Sequence, residues 1–207
     1  MKRKGILIII SGFSGAGKGT LVKRLVEKYD GYALSISATT REPRPGEVDG
    51  REYFFLKKEE FERKIAESGL IEYACYCDNY YGTPREYVEN QLADGRDVIL
   101  EIEIQGAHKV KEQYPDALTL FVMTPGAEEL RYRLESRGTE SAEVIEKRMQ
   151  RAAQEALGIE KYEYIVVNDN LEKCVDEVHR IIIAAHNASH RNMEFIDNIR
   201  RELEGEK

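Results

Sequence analysis

The tightest constraint on this 207-residue chain lies near its start, where Gly12-Phe13-Ser14-Gly15-Ala16-Gly17-Lys18-Gly19-Thr20 follows the apolar run Ile6–Ile10. Four closely spaced glycines let successive backbone N–H groups curl around phosphate oxygens, and a helix that opens at the end of the loop adds its partial positive charge there. The β-branched run before the loop reads as a strand buried on both faces of a parallel sheet. After it, Leu21, Val22, Leu25, Val26 and Tyr29 recur at helical spacing. Strand, glycine loop with a closing lysine, then helix is the P-loop order. Lys18 is expected to reach the β- and γ-phosphates of a nucleoside triphosphate, with Gly12, Ser14, Gly15, Ala16, Gly17, Gly19 and Thr20 forming the cradle. Gly19 stands where many such loops carry a hydroxyl that faces Mg²⁺. The ion is therefore expected to come with the nucleotide, held by phosphates and water with Thr20 assisting, and no protein ligand is assigned.

The rest of the chain alternates β-type runs with helical periods, without repeats or low-complexity linkers. Tyr32–Ser37, Asp97–Ile104, Ala117–Met123 and Tyr164–Val167 read as further strands, the second carrying Glu101 and Glu103 on one face. This predicts an α/β fold of the P-loop NTPase type, a largely parallel sheet flanked by helices. Two segments break the rhythm. Residues 38–84 hold Pro43, Pro45 and several tyrosines, with strands expected at Glu52–Phe55 and Leu70–Tyr76 around a helix at Lys58–Glu67. Residues 126–154 carry Arg131, Arg133, Arg137, Arg148 and Arg151 around Gly138-Thr139. The expected division is a core of 1–37, 85–125 and 155–207, a small mixed insert at 38–84, and a helical lid at 126–154.

Charge and cysteine usage bound the partners. Lys plus Arg number 31 against 38 Asp plus Glu, a net −7, and a nucleic-acid binder would show a basic field instead. No apolar run approaches the roughly 20 residues that cross a bilayer. Three cysteines (75, 77 and 174) make no even framework, which fits a reducing, cytoplasmic setting. His186 and His190, four apart, lack the intervening Glu of a metalloprotease helix and read as a solvated face.

The insert supplies a second anion site. Arg41 and Arg44, three apart in a proline-stiffened segment, suit a phosphate monoester through forked hydrogen bonds. Tyr53 and Tyr81 can add phenolic donors. Glu72, within an apolar and aromatic stretch, can accept from both the ring N–H and the exocyclic amine of guanine, a pair that adenine does not offer.

These residues sit in segments that closely resemble the guanylate kinase family: SGFSGAGKGT, SATTREPRPGEVDGREY, IEYA, NYYGTP, EIEIQGA, RLESRGTE and VVNDN, in family order and spacing over about residues 5–183. The second and fourth are specific to the family. The resemblance implies ATP-dependent phosphorylation of GMP, and of dGMP, with Mg²⁺ bound alongside ATP and small-molecule substrates the only partners; it leaves monomer or homo-oligomer open. It implies that Arg41, Arg44, Tyr53 and Tyr81 hold the GMP phosphate, with Glu47 in the same set. Ser37, Glu72 and Thr83 read the base, and Glu101 and Glu103 lie near the guanosine and metal. Arg133, Arg137 and Arg148 close over the triphosphate, and Asn168-Asp169 edges the adenine. Lys18, Arg44, Arg137 and Arg148 are the expected catalytic set. The chain departs from the family at Phe13, usually Pro, at Glu103, usually Asp, and in a charged helical tail beyond His186. Two rivals compete: a non-catalytic interaction module, which should have lost Lys18 or the lid arginines, and a kinase for another nucleoside monophosphate, against which Glu72 and the long insert motif argue.

Overall fold

A computed structural model describes residues 4–76, 78–136, 138 and 141–205. The first apolar run becomes β1 (Leu7–Gly12), with Ile8, Ile9 and Ile10 fully buried. It is buried because it is the middle strand. The main sheet runs β2 (Tyr32–Leu34), β7 (Asp97–Glu101), β1, β8 (Leu118–Met123), β9 (Tyr164–Val167), all parallel. Register fixes the neighbours: Ile10 faces Glu101 on one side and Leu120 on the other. Parallel strands need crossovers, and helices supply them. α1 (Lys18–Lys28) and α7 (Leu171–His186) pack together, α3 (Arg85–Ala93) lies against β7, and α4 (Ile104–Gln113) touches β1.

A second sheet of four strands occupies part of residues 38–84, in the order β4 (Phe54–Phe55), β3 (Ala38–Thr39), β6 (Asn79–Pro84), β5 (Leu70–Tyr76). Its own small core gathers Ala38, Phe61 and Leu70, with Phe54, Leu56, Ile65 and Tyr80 around them. α2 (Lys58–Ala66) contributes Phe61 and Ile65 from one face. Glu59 and Glu60 in its first turn and Arg63 and Lys64 in its last match the helix dipole. The segment 126–154 folds as α5 (Ala127–Ser136) and α6 (Ala142–Glu155), the latter capped by the Ser141 hydroxyl. α8 (Met193–Glu204) follows a 3-10 turn at Ser189–Arg191.

Three expectations change. The strand expected over Asp97–Ile104 stops at Glu101: the Ile102 N–H still bonds the Ile10 carbonyl (3.3 Å) and the Ile102 carbonyl accepts from the Ser11 hydroxyl (2.8 Å), but the chain then enters α4 while β1 runs on to Gly12 paired with β8 alone. Glu103 is instead the residue that opens α4, so it shares no strand face with Glu101. The strand expected over Tyr32–Ser37 ends at Leu34. Beyond it Ser35 still donates to the Ile99 carbonyl (2.9 Å), and Ser37 already pairs with Phe54 of the second sheet (2.9 Å). His186 is not solvated. It is buried at the end of α7, with Nε2 2.9 Å from both carboxylate oxygens of Asp97, which also accepts the Ile6 N–H (2.7 Å).

Candidate active site

The loop between β1 and α1 is held from three directions. Glycine is required at its ends: a Cβ on Gly12 would lie 2.0 Å from the Val122 carbonyl oxygen, and Gly17 enters α1 at φ 88°, where a Cβ would meet Asn168 Nδ2 at 2.7 Å. Asn168 is buried just past β9 and donates to the Ala16 carbonyl (2.8 Å). Its own carbonyl accepts from Arg133 of α5 (2.8 Å), which is also paired with Glu129 (2.6 Å). Lys18 Nζ curls over the loop and donates to the carbonyls of Gly12 (2.6 Å) and Phe13 (3.1 Å). Arg148 of α6 donates to Ser14 Oγ (2.8 Å), so this helix reaches over the loop. Phe13 turns its ring edge-on to Phe121, which anchors the loop in the core.

Glu101 ends β7 directly beneath this loop. A side chain at position 19 would stand 3.6 Å from its carboxylate. Surrounding protein desolvates the group and pushes its pKa up, while the positive charge of Lys18 pulls it down. Among the described residues no three His, Cys, Asp or Glu side chains gather as a metal cage. One carboxylate beside a phosphate cradle, with the Thr20 hydroxyl a residue beyond Gly19, is the donor set that suits Mg²⁺ carried by a nucleotide, since this ion keeps most of its water and phosphate ligands.

The insert builds the opposite wall. Arg41 is two-thirds or more enclosed. It pairs with Glu47 (2.9 Å), donates to the Glu42 carbonyl (2.7 Å), and lies over the rings of Tyr53 (5.4 Å) and Phe55 (5.7 Å). Glu47 also accepts the Arg44 backbone N–H (2.7 Å), and these bonds hold its carboxyl below the usual range. Glu47 thus fastens the two arginines, while the Arg44 guanidinium has no protein partner among the described residues. Tyr81 packs edge-on against Tyr53 (6.1 Å). Glu72 accepts from the Thr83 hydroxyl (2.8 Å); desolvation pushes its carboxyl up, and the Thr83 bond and the charge of Lys109 partly offset that.

The loop and the second sheet meet at one space. A cavity of about 150 Å³ is lined by Gly19 and Lys23 of α1, Ser37 just before β3, Thr83 of β6 and Glu101 of β7. The end of the loop and the second sheet therefore open onto the same cleft, at the carboxyl ends of the parallel strands where open α/β sheets place ligands. Residues 4–185 match the family model described as guanylate kinase. The chain belongs to the guanylate kinase family. A guanylate kinase from Caldanaerobacter subterraneus subsp. tengcongensis is 50% identical over 202 residues, 98% of each chain, and one from Oceanobacillus iheyensis is 51% identical over 186 residues, 90% of each. The crystal structure of guanylate kinase from Anaplasma phagocytophilum superposes with a TM-score of 0.71 at 31% identity, covering 92% of this chain and 91% of that one.

Against the guanylate kinase expectation, the structure brings Lys18, Ser14, Arg133, Arg148 and Asn168 around the cradle, and Ser37, Glu72, Thr83 and Glu101 around the cleft. Arg137 lies outside the described residues. Asp169 is exposed, its carboxylate accepting the Asn170 N–H (2.6 Å). Glu103 reaches away from the cleft to Arg151 of α6 (2.6 Å). Arg151 and Ser35, whose buried hydroxyl lines the cavity without a protein partner, have no role in the sequence reading. Arg151 could be found from its spacing, one turn after Arg148 on the same helix; nothing in the sequence marks Ser35.

Proposed function

We propose that the reaction of this guanylate kinase, ATP-dependent phosphorylation of GMP to GDP, runs across the cleft between the cradle and the insert, with the residue roles that follow. The core 1–37, 85–125 and 155–207 binds ATP, the insert 38–84 binds GMP, and the lid 126–154 closes over both. Glu72, held by Thr83 and desolvated, faces an acceptor base; a carboxylate there satisfies the two donors of guanine and repels the lone pair that adenine presents. Ser37 and Thr83 add hydroxyls at the same end. Arg44, Arg41, Tyr53 and Tyr81 take the acceptor phosphate, with Glu47 setting the arginines. Asn168 and Asp169 border the adenine of ATP.

The attacking phosphate of GMP is largely ionised near neutral pH, its second ionisation falling at about pH 6, so no general base is required. What remains is to hold two polyanions in line and neutralise the group in flight. Lys18, the loop amides, Arg148 and Arg137 act on the donor side and Arg44 on the acceptor side. Glu101 and Thr20 would face an ATP-bound Mg²⁺, whose charge would add to the neutralisation these residues provide. Lid arginines over the cradle exclude water that would otherwise hydrolyse ATP. The shared cavity supports this reading most directly. The test is ADP release from ATP and Mg²⁺ with GMP, dGMP, AMP, CMP or UMP as acceptor. Turnover confined to the guanine nucleotides is expected; equal turnover with AMP, or none with any acceptor, overturns it.

A further inference from the structure

Gly106 is the third residue of α4, and the helix gains nothing from it. Glycine is the poorest helix former after proline, because it gives up the most backbone freedom and packs no side chain. A fold keeps such a residue where a Cβ would collide or where φ is positive. Gly82, in the second sheet, is of that kind: a Cβ there would lie 2.7 Å from the Glu72 carbonyl oxygen. Gly106 is not. Its backbone is ordinary helix, and a Cβ would meet only the Ile102 side chain at 3.7 Å and Glu72 Oε2 at 3.8 Å, both normal contact distances. The fold alone would accept alanine.

What lies beside Gly106 is the carboxylate that faces the acceptor base. α4 is fastened along β5, the strand that carries Glu72, where Gln113 Nε2 donates to the Ile71 carbonyl (2.8 Å). Lys109, three residues beyond Gly106 and on the same side of the helix, is the cation whose charge acts on Glu72. Of the two Glu72 carboxylate oxygens, Oε1 accepts from the Thr83 hydroxyl (2.8 Å), while Oε2 accepts from no group among the described residues. An acceptor left unpaired in a desolvated place costs stability. The unpaired oxygen and the bare stretch of helix adjoin each other, and neither has a use within the folded chain.

We propose that the two together form the subsite for the exocyclic amine of guanine, with Gly106 the residue that leaves room for it. This rests on Glu72 reading the acceptor base. Along the guanine edge the keto oxygen, the ring N–H and the 2-amine follow in order. Thr83, whose hydroxyl can serve the keto oxygen, stands beside Oε1. The ring N–H therefore faces Oε1, and the 2-amine faces Oε2. An N–H···O bond sets the amine nitrogen about 2.9 Å from that oxygen, in the space next to Gly106. A methyl group held 3.8 Å from the same oxygen crowds the amine or turns the carboxylate from it. Gly106 is thus a specificity residue that makes no bond to substrate and acts through the space it leaves.

The test compares GMP with inosine monophosphate, which keeps the keto group and ring N–H and lacks the 2-amine. Dissociation constants from calorimetry make the comparison independent of turnover. Wild type should bind GMP at least ~10-fold more tightly than inosine monophosphate. Gly106→Ala should weaken GMP at least ~10-fold and inosine monophosphate by no more than ~2-fold, with KM for ATP unchanged and Tm equal to wild type or higher. Gly106→Ser, slightly larger than alanine, should weaken GMP at least as much. A helix that merely packs worse loses both nucleotides together and melts earlier. That result, or GMP binding retained in Gly106→Ala, overturns the role of Gly106 and leaves that of Glu72 standing. Equal binding of the two nucleotides by wild type overturns the role of Glu72, and this proposal with it.

Discussion

Lys18 and Arg44 are the proposed phosphate-binding cations of the loop and the insert, and each is poised by the bonds around it. Lys18 is parked on loop carbonyls that incoming phosphate oxygens can outbid, and Arg44 is the insert arginine that Glu47 does not occupy through its side chain. Lys18→Ala or Arg44→Met is expected to lower kcat at least ~100-fold with an unchanged circular dichroism spectrum; turnover near wild type in either refutes the assigned role. Glu72 offers a test with a sign. Desolvation raises its carboxyl above the ordinary value, so the folded chain keeps that proton to higher pH than the unfolded chain. The neutral form is buried without penalty at acid pH, and the ionised form subtracts from stability as pH rises through the raised value. Glu72→Gln should therefore raise Tm at neutral pH, with the gain shrinking towards pH 4, while KM for GMP rises at least ~10-fold. An unchanged Tm at both pH values contradicts the buried charge. Glu72 stands out in the sequence only with the family segment around it, since a lone carboxylate in a strand is more often an edge charge. Glu47 is legible only in part: its position in the motif says that it matters, but only the fold shows that it acts on Arg41 and on the backbone of Arg44.

At the level of elements, the strands and helices of the core follow directly from hydrophobic period, and the misread boundaries all lie where the chain leaves the sheet. β7 continues its alternation on paper through Ile104, but the chain leaves the sheet after Ile102 to begin α4. That boundary decides the fate of Glu103, which becomes the N-cap of α4 and reaches Arg151 of α6. The Arg151–Glu103 contact ties α6 to the start of α4. Both side chains are largely exposed (55% and 75%), so the tie is weak and sensitive to salt. Arg151→Gln is expected to raise KM for ATP by no more than ~5-fold at low salt, with kcat little changed, and the difference from wild type should vanish at high salt. The swap Arg151→Glu with Glu103→Arg should restore the low value. A drop in kcat with unchanged KM instead places Arg151 on the reacting groups. β3 and β6 escape the sequence because β3 is only two residues long, β6 carries Gly82 and Pro84, and each is defined by the other's edge.

Across the whole molecule, chemistry and support occupy opposite ends of one sheet. Everything proposed to touch substrate lies at the carboxyl ends of the strands; the Asp97–His186 pair lies at the other end, nearly enclosed (11% and 7% exposed side chains). Asp97 satisfies the Ile6 N–H and the His186 ring together, so Asp97→Ala should cost about 2–3 kcal/mol of stability, the penalty of orphaned buried donors, read as a lower Tm, and leave kcat and both KM values untouched below the melting range. A kinetic defect in that variant ties the base of the sheet to the cleft. The α/β class was readable from the alternation of β-type runs and helical periods and the family from its motifs, whereas a buried histidine could not be told from a solvated one, since burial depends on which distant strand lies beneath it.

The middle strand is also made before both of its neighbours. β1 takes its place only between β7 and β8, whose pairing residues (Val98 for Leu7, Leu118 for Ile8) come far later in the chain. During synthesis an apolar run must wait for residues roughly 90 to 110 positions further on before these neighbours cover it. Parallel sheets closed over such distances form slowly and leave sticky surface in the meantime. The strand order that centres the phosphate loop in the sheet therefore leaves its own middle strand uncovered for longest while the chain emerges.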